Sequence, residues 1–117
     1  MVFEVRGKQV MLANDVSILY EAETKRVNET IKRNQNRFPE EFCFQLTREE
    51  VNALNLRSQF ATSSLGGRGY GGARYLPHAL TEQGVMMLSG LLKSDVAVRM
   101  NIKIINAFVA MRKYIGG

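Results

Sequence analysis

Between Glu23 and Phe42 the chain reads ETKRVNETIKRNQNRFPEEF, and its apolar and cationic positions separate by helical angle. Wound at about 100° per residue from Thr24 to Phe38, the segment sets Val27, Ile31, Asn34 and Phe38 on one side and Lys25, Arg26, Lys32, Arg33 and Asn36 opposite. Only Glu29 interrupts the positive arc. The pattern predicts a basic helix that docks by a narrow apolar seat and turns long cationic and amide side chains outward. Pro39 disfavours helical geometry at Phe38, so the helix ends between Asn34 and Pro39.

The flanking segments read as short elements. VFEVRGKQVML places Arg6-Gly7-Lys8 between two β-prone runs, a hairpin with Gly7 in the turn. Asn14 is expected to cap a short helix from Asp15, with Val16, Leu19 and Tyr20 facing inward. The basic helix follows within a few residues, starting at Glu23 or Thr24, so the two form a helix-turn-helix candidate. FCFQL reads as a buried strand, and Thr47-Arg48-Glu49-Glu50 as a capping box that opens a helix to about Leu54. Five glycines fall in the seven positions from Gly66 to Gly72, which predicts a mobile loop carrying Arg68 and Tyr70. If FCFQL pairs with RYLPHAL, that loop becomes the tip of a wing and Arg74 lies at its base. Thr81 then caps TEQGVMMLSGLL, and Ser94-Asp95 starts a longer helix to about Tyr114. Together these make a small single α+β domain: an N-terminal β-hairpin, a helix-turn-helix-like pair, a second short β-hairpin or wing, and two C-terminal helices.

The last helix has an unusually wide apolar face. Arg99, Lys103, Asn106 and Lys113 fill a narrow polar strip, while Val98, Ile102, Ile105 and Val109 extend the face beyond the inner row of Ala97, Ile104, Phe108, Met111 and Ile115. Such width predicts a central helix covered on two sides, with a subunit or domain interface as the alternative.

At 117 residues and 45% hydrophobic content the chain can bury a core without staples. Cys43 is the lone cysteine, and there is neither a signal peptide nor an apolar run of membrane-spanning length, so the expected setting is the reducing cytoplasm with no membrane partner. Net charge is +5 and the pI about 9.7. The excess is uneven: from Val51 to Thr81 there is no acidic residue, but there are Arg57, Arg68 and Arg74. A basic surface of this kind suits a phosphate backbone, and equally fits a generic solvated face.

Catalytic chemistry has little to draw on. His78 is the single histidine, Cys43 lies in an apolar run, and no His, Cys and carboxylate set has metal-ligand spacing. Glu40-Glu41 and Glu49-Glu50 fit helix-start and solvated charges better than an acid–base pair. Gly67 to Gly72 satisfies the letters G-x-G-x-x-G, but a polar segment leads in, Pro77 follows, and no Lys-Ser or Lys-Thr is attached, so neither a dinucleotide site nor a P-loop is expected. Met86, Met87, Met100 and Met111 stand in apolar company at helical spacing and read as core. No enzyme, no cofactor and no metal are expected.

Taken in order, RGKQVML, ETKRVNETIKRNQNRFPEEFCFQLT, LRSQFATSS, GGARYLPHALTEQGVMMLSGLL and NIKIINAFVAMR resemble the N-terminal DNA-binding domain of phage antirepressor-type proteins, the ORF-six N-terminal domain of the KilA-N group. The resemblance implies a DNA-binding module of phages, prophages and bacteria, often fused to a variable C-terminal domain, with residues 1–117 as one such domain of a longer protein. Two departures stand out. The family's Asp-Leu-Ala and Leu-Tyr-Gly become Asp15-Val16-Ser17 and Leu19-Tyr20-Glu21 here, so a turn glycine is missing; and the glycine loop is longer than the family's Gly-Gly-Arg-Arg-Tyr.

The expected function is double-stranded DNA binding in transcription regulation. Lys25, Arg26, Lys32 and Arg33 are expected on phosphates or guanine edges, Asn28 and Asn36 on adenine, Arg37 and Arg74 on the backbone, and Arg68, at the wing tip, in a minor groove or along the backbone. The alternative is a protein-interaction module that binds a repressor through Val98, Ile102 and Val109. A homodimer would read a palindromic site, a monomer a short asymmetric one.

Overall fold

The computed structural model of the chain describes residues 2–54 and 76–116, with side-chain surroundings as far as Lys113. Strands β1 (Val2–Val5) and β2 (Lys8–Leu12) pair antiparallel, with Val5 opposite Lys8. The two residues between them, Arg6 and Gly7, have φ of 56° and 73°, the doubly left-handed turn that matches strand twist. Helix α1 (Ala13–Leu19) follows β2 directly and α2 (Thr24–Arg33) follows α1. Then come β3 (Cys43–Gln45), α3 (Arg48–Ala53), β4 (His78–Leu80), α4 (Glu82–Leu92) and α5 (Asp95–Gly116).

The sheet runs β1-β2-β4-β3 and is antiparallel throughout. Because side chains alternate across a strand, its two faces feed two cores. Met11, Cys43 and Leu80 point into the larger core with Val16, Tyr20, Val27, Val85, Leu88, Ile104 and Phe108. Val10, Leu12, Phe44 and Ala79 point to the other side, where Leu46 and Val51 cover them. Val10, Met11 and Leu12 are wholly buried, as an interior strand requires.

FCFQL and the HAL of RYLPHAL do pair, with Phe44 opposite Ala79, so the strands expected beneath a wing are neighbours. The connection carries α3 and is no tight hairpin. Arg57, Arg68, Tyr70 and Arg74 lie outside the described residues.

Local chemistry fixes the joints. The capping box forms at α3: Thr47 Oγ1 accepts from Glu50 N at 3.1 Å, and Thr47 N donates to Glu50 Oε1 at 2.8 Å. Ser94 Oγ accepts from Ala97 N at 3.0 Å at the start of α5. At α1 the expected Asn14 cap is absent: the helix begins at Ala13 with Leu12 as its cap residue and no side-chain cap bond. The strand runs straight into the helix, so Asn14 already lies in the first turn, where its carbonyl accepts from Ser17 Oγ at 2.7 Å.

Thr81 holds the sheet to α4. Its hydroxyl accepts from Gly84 N at 3.3 Å and lies 2.8 Å from the Glu41 carbonyl and 3.2 Å from that of Phe42, while its own N–H donates to the Phe42 carbonyl at 3.0 Å. Gly84 lets this happen, since a Cβ there would stand 1.9 Å from the Phe42 carbonyl oxygen.

The central-burial expectation for the last helix is overturned. Ala97, Ile104 and Phe108 are buried, but Val98 is 64% and Ile102 67% exposed. One side of α5 packs on α4 and β1, and among the described residues no second layer covers the other.

Gly84→Ala is expected to destabilise by about 3 kcal/mol or more in urea denaturation, although helix propensity alone favours alanine by about 1 kcal/mol, because rigid backbone occupies the methyl position. A second expectation concerns Arg6, which donates to both oxygens of Glu50 at 2.8 and 2.9 Å and lies over the Phe44 ring at 4.3 Å. Those guanidinium bonds, with help from Thr47, outweigh desolvation and hold the Glu50 carboxyl at about 2. The folded value lies below the ordinary 4.5, so the pair's stabilisation is complete above that pH and is lost as pH falls toward 2. Arg6→Ala is expected to lower stability by about 1 kcal/mol at neutral pH, the upper end for a partly exposed pair, and by less in acid.

Candidate nucleic-acid interface

Helix α2 is seated by two side chains of its own and by Phe38, which follows the 3-10 turn beyond its end. Val27, Ile31 and Phe38 are buried in the larger core, as the angular sorting predicts. Asn34, the polar member of that row, is half-buried and donates its amide to the Thr30 carbonyl at 2.8 Å, so its place beside the core leaves no orphan group. Across the tight connection, Ser17 Oγ and Thr24 Oγ1 lie 2.9 Å apart, and the Tyr20 N–H donates to the Val16 carbonyl. Tyr20 extends inward, donating its hydroxyl to Asn101 Oδ1, while the Asn101 amide donates to Ser89 Oγ at 2.6 Å. Burial pushes the Tyr20 phenol up to about 12. The α1–α2 turn is thereby tied to α4 and α5.

The opposite face is charged and open. Lys25, Arg26, Lys32 and Arg33 are all exposed. The helix is shorter than the pattern predicts: it stops at Arg33, Asn34 departs to φ −124° and ψ 39°, and Gln35–Arg37 form a 3-10 turn before Pro39. Asn36 and Arg37 are exposed on that turn and so extend the cationic surface past the helix end. Asn28 is half-buried, less presented than its neighbours. Among the described residues the ion pairs are Arg6 with Glu40 and Glu50, and Arg112 with Glu82; none involves a cation of α2.

Arg26 has a second task. Its Nη2 donates to the Leu92 carbonyl at 3.4 Å, at the C-terminal end of α4 where the helix dipole favours a cation. The neighbouring Lys93 is exposed and left-handed at φ 52°. An open groove of about 820 Å³ then runs between Lys93 and Arg37, floored by Phe42, Met86, Met87 and Leu91. Lys93 thus joins the basic surface, although sequence reading gave it no role. The only signal for it was a lysine just past an apolar helix, and folding alone brings it alongside α2.

Cys43 and His78 stand apart from this surface. Burial pushes the Cys43 thiol up to about 12 and lowers the His78 imidazole below its usual value. Among the described residues no His, Cys and carboxylate cluster could hold a metal ion, and no helix is long and apolar enough to cross a membrane.

The family model of the ORF6N domain matches residues 1–91. The chain belongs to the ORF6N domain family. The match covers 91 of the 117 residues and takes in the hairpin, the α1–α2 pair and α4 almost to its end. It stops before α5, so NIKIINAFVAMR lies beyond it. No curated protein and no solved structure matches the chain.

In this ORF6N domain the residue where the resemblance expects a turn glycine is Glu21, and its φ is 54°. The turn keeps the left-handed geometry while carrying a side chain that disfavours it. Glu21→Gly is expected to raise stability by about 0.5 to 1 kcal/mol, read as an increase in melting temperature.

Proposed function

We propose that this ORF6N domain is the double-stranded DNA-binding part of a phage or prophage antirepressor-type transcriptional regulator of the KilA-N group, acting in the cytoplasm without enzymatic activity. The observation that carries the reading is the outward face of α2 and its 3-10 extension. Five cations, Lys25, Arg26, Lys32, Arg33 and Arg37, stand there against the single carboxylate Glu29, while Val27, Ile31 and Phe38 anchor the same segment in the core. A rigid basic helix after a tight helical turn is the arrangement that reads a major groove in helix-turn-helix proteins. Asn36 supplies an exposed amide for a base edge, and Lys93 a further backbone contact from the end of α4.

Fluorescence anisotropy with a mixed pool of duplex DNA across a salt series tests this directly. If five cations each neutralise a phosphate, log affinity falls with log salt at a slope of about 4 to 5. Lys32→Ala with Arg33→Ala is expected to weaken binding and reduce the slope by about 2 while moving the melting temperature by no more than about 4 °C, because both side chains are exposed. Absence of binding at low salt, or a variant indistinguishable from wild type, would remove DNA recognition by α2.

A further inference from the structure

The surface that the DNA reading leaves unused is on α5. Positions 95, 98, 102, 105, 109 and 112 follow one another at intervals of three and four, so they form a straight stripe along the helix. The four inner members are Val98, Ile102, Ile105 and Val109, and the ends are Asp95 and Arg112. Val98 and Ile102 are about two-thirds exposed, and Ile105 and Val109 are half-buried. Ala97, Ile104 and Phe108, turned well away from the stripe, already supply the helix's buried contacts. Val98 and Ile102 therefore add apolar surface that the described part of the fold does not use, and Ile105 and Val109 continue it with the part of each that stays exposed.

We propose that this stripe is a dimerisation surface that pairs antiparallel with the same stripe of a second copy, about a two-fold axis between Ile102 and Ile105. The pattern is self-complementary in that arrangement. Val98 of one copy meets Val109 of the other, Ile102 meets Ile105, and Asp95 at one end meets Arg112 at the opposite end. A parallel pair would instead set carboxylate beside carboxylate and guanidinium beside guanidinium. A two-fold contact requires one patch to complement itself, and a stripe whose ends carry opposite charges does so in one orientation only. The alternating spacing is also that of helices crossing at about 20°. Arg112 is steadied from the other side by Glu82, yet its side chain stays 51% exposed and can accept a second carboxylate.

The apolar stretch spans roughly 17 Å of helix, and four side chains per copy make a small interface, so the dimer is weak, with a Kd on the order of micromolar. The proposal does not depend on the DNA reading. It uses no residue of α2, and it rests on a helix beyond the family match.

Sedimentation equilibrium of the full chain from about 1 to 200 µM at low ionic strength provides the test, with circular dichroism melts to check that each variant folds. Wild type is expected to pass from monomer to dimer, and Ile102→Glu to stay monomeric with an unchanged melt. Asp95→Arg and Arg112→Asp, each alone, place like charges at both ends of the antiparallel pair and are expected to remain monomeric. Mixed in equal amounts, the two variants bring two guanidinium groups on one copy against two carboxylates on the other, and a heterodimer is expected. A wild type that is monomeric throughout overturns the proposal, leaving the stripe to a different protein or to none. So does an Ile102→Glu variant that still dimerises, or a mixture that stays monomeric while wild type associates.

Discussion

The fold turns on the contact between Gly84 and the Phe42 carbonyl. A helix can lie this close to another backbone only where a side chain is missing, and Gly84 supplies that absence in the first turn of α4. Thr81 then uses both its hydroxyl and its N–H on the same stretch, Glu41–Phe42, that leads into β3. One short segment thus fixes edge strand β3, the start of α4 and the chain emerging from the basic 3-10 turn. Since β4 lies between β2 and β3, the register of the sheet and the position of α4 are set together. Helix α2, which packs on α1 and α4, inherits its placement from that joint.

Charge is distributed unevenly for a physical reason. The carboxylates Glu40, Glu50 and Glu82 are drawn to Arg6 and Arg112, so part of the acidic charge is neutralised where it joins the hairpin to α3 and α5 to α4. The cations of α2 have no such partners among the described residues. Arg26 is the exception in kind, because its hydrogen bond goes to a carbonyl and leaves its charge in place. A positive field therefore survives along α2, its 3-10 extension and Lys93, where a polyanion could meet it with little competition.

Much of this was legible in the residues. Angular sorting found the seat and the open face of α2, and short-range chemistry found the hairpin turn, the Thr47 capping box and the Thr81 and Ser94 caps. These features are governed by neighbours within about four residues, the range at which sequence pattern speaks most clearly. What escaped depended on distant partners. Nothing near Gly84 announces Phe42, nothing near Arg6 announces Glu50, and Lys93 joins the basic surface only through the packing of α4 on α2. The α5 face was misjudged because apolar content records what could be buried, whereas exposure depends on whether another layer exists. The Asn14 cap failed because a strand led straight into the helix, leaving no extended residue at that position.

The two surfaces of the domain are separated by its own packing. Helix α2 packs on α4 and α4 packs on α5, so the basic face and the apolar stripe belong to elements that flank a common helix. They are nevertheless linked by the hydrogen bonds of Tyr20, Asn101 and Ser89, which join the α1–α2 turn to the second turn of α5 through the larger core. Asn101 directly precedes Ile102, so the residue that anchors the turn and the most exposed apolar residue of the stripe are held by the same turn of α5. A contact made along that stripe would bear on a helix whose inner side already fixes the entry to α2. Association of two copies and the orientation of the basic face would then share one rigid element, with no residue common to both surfaces.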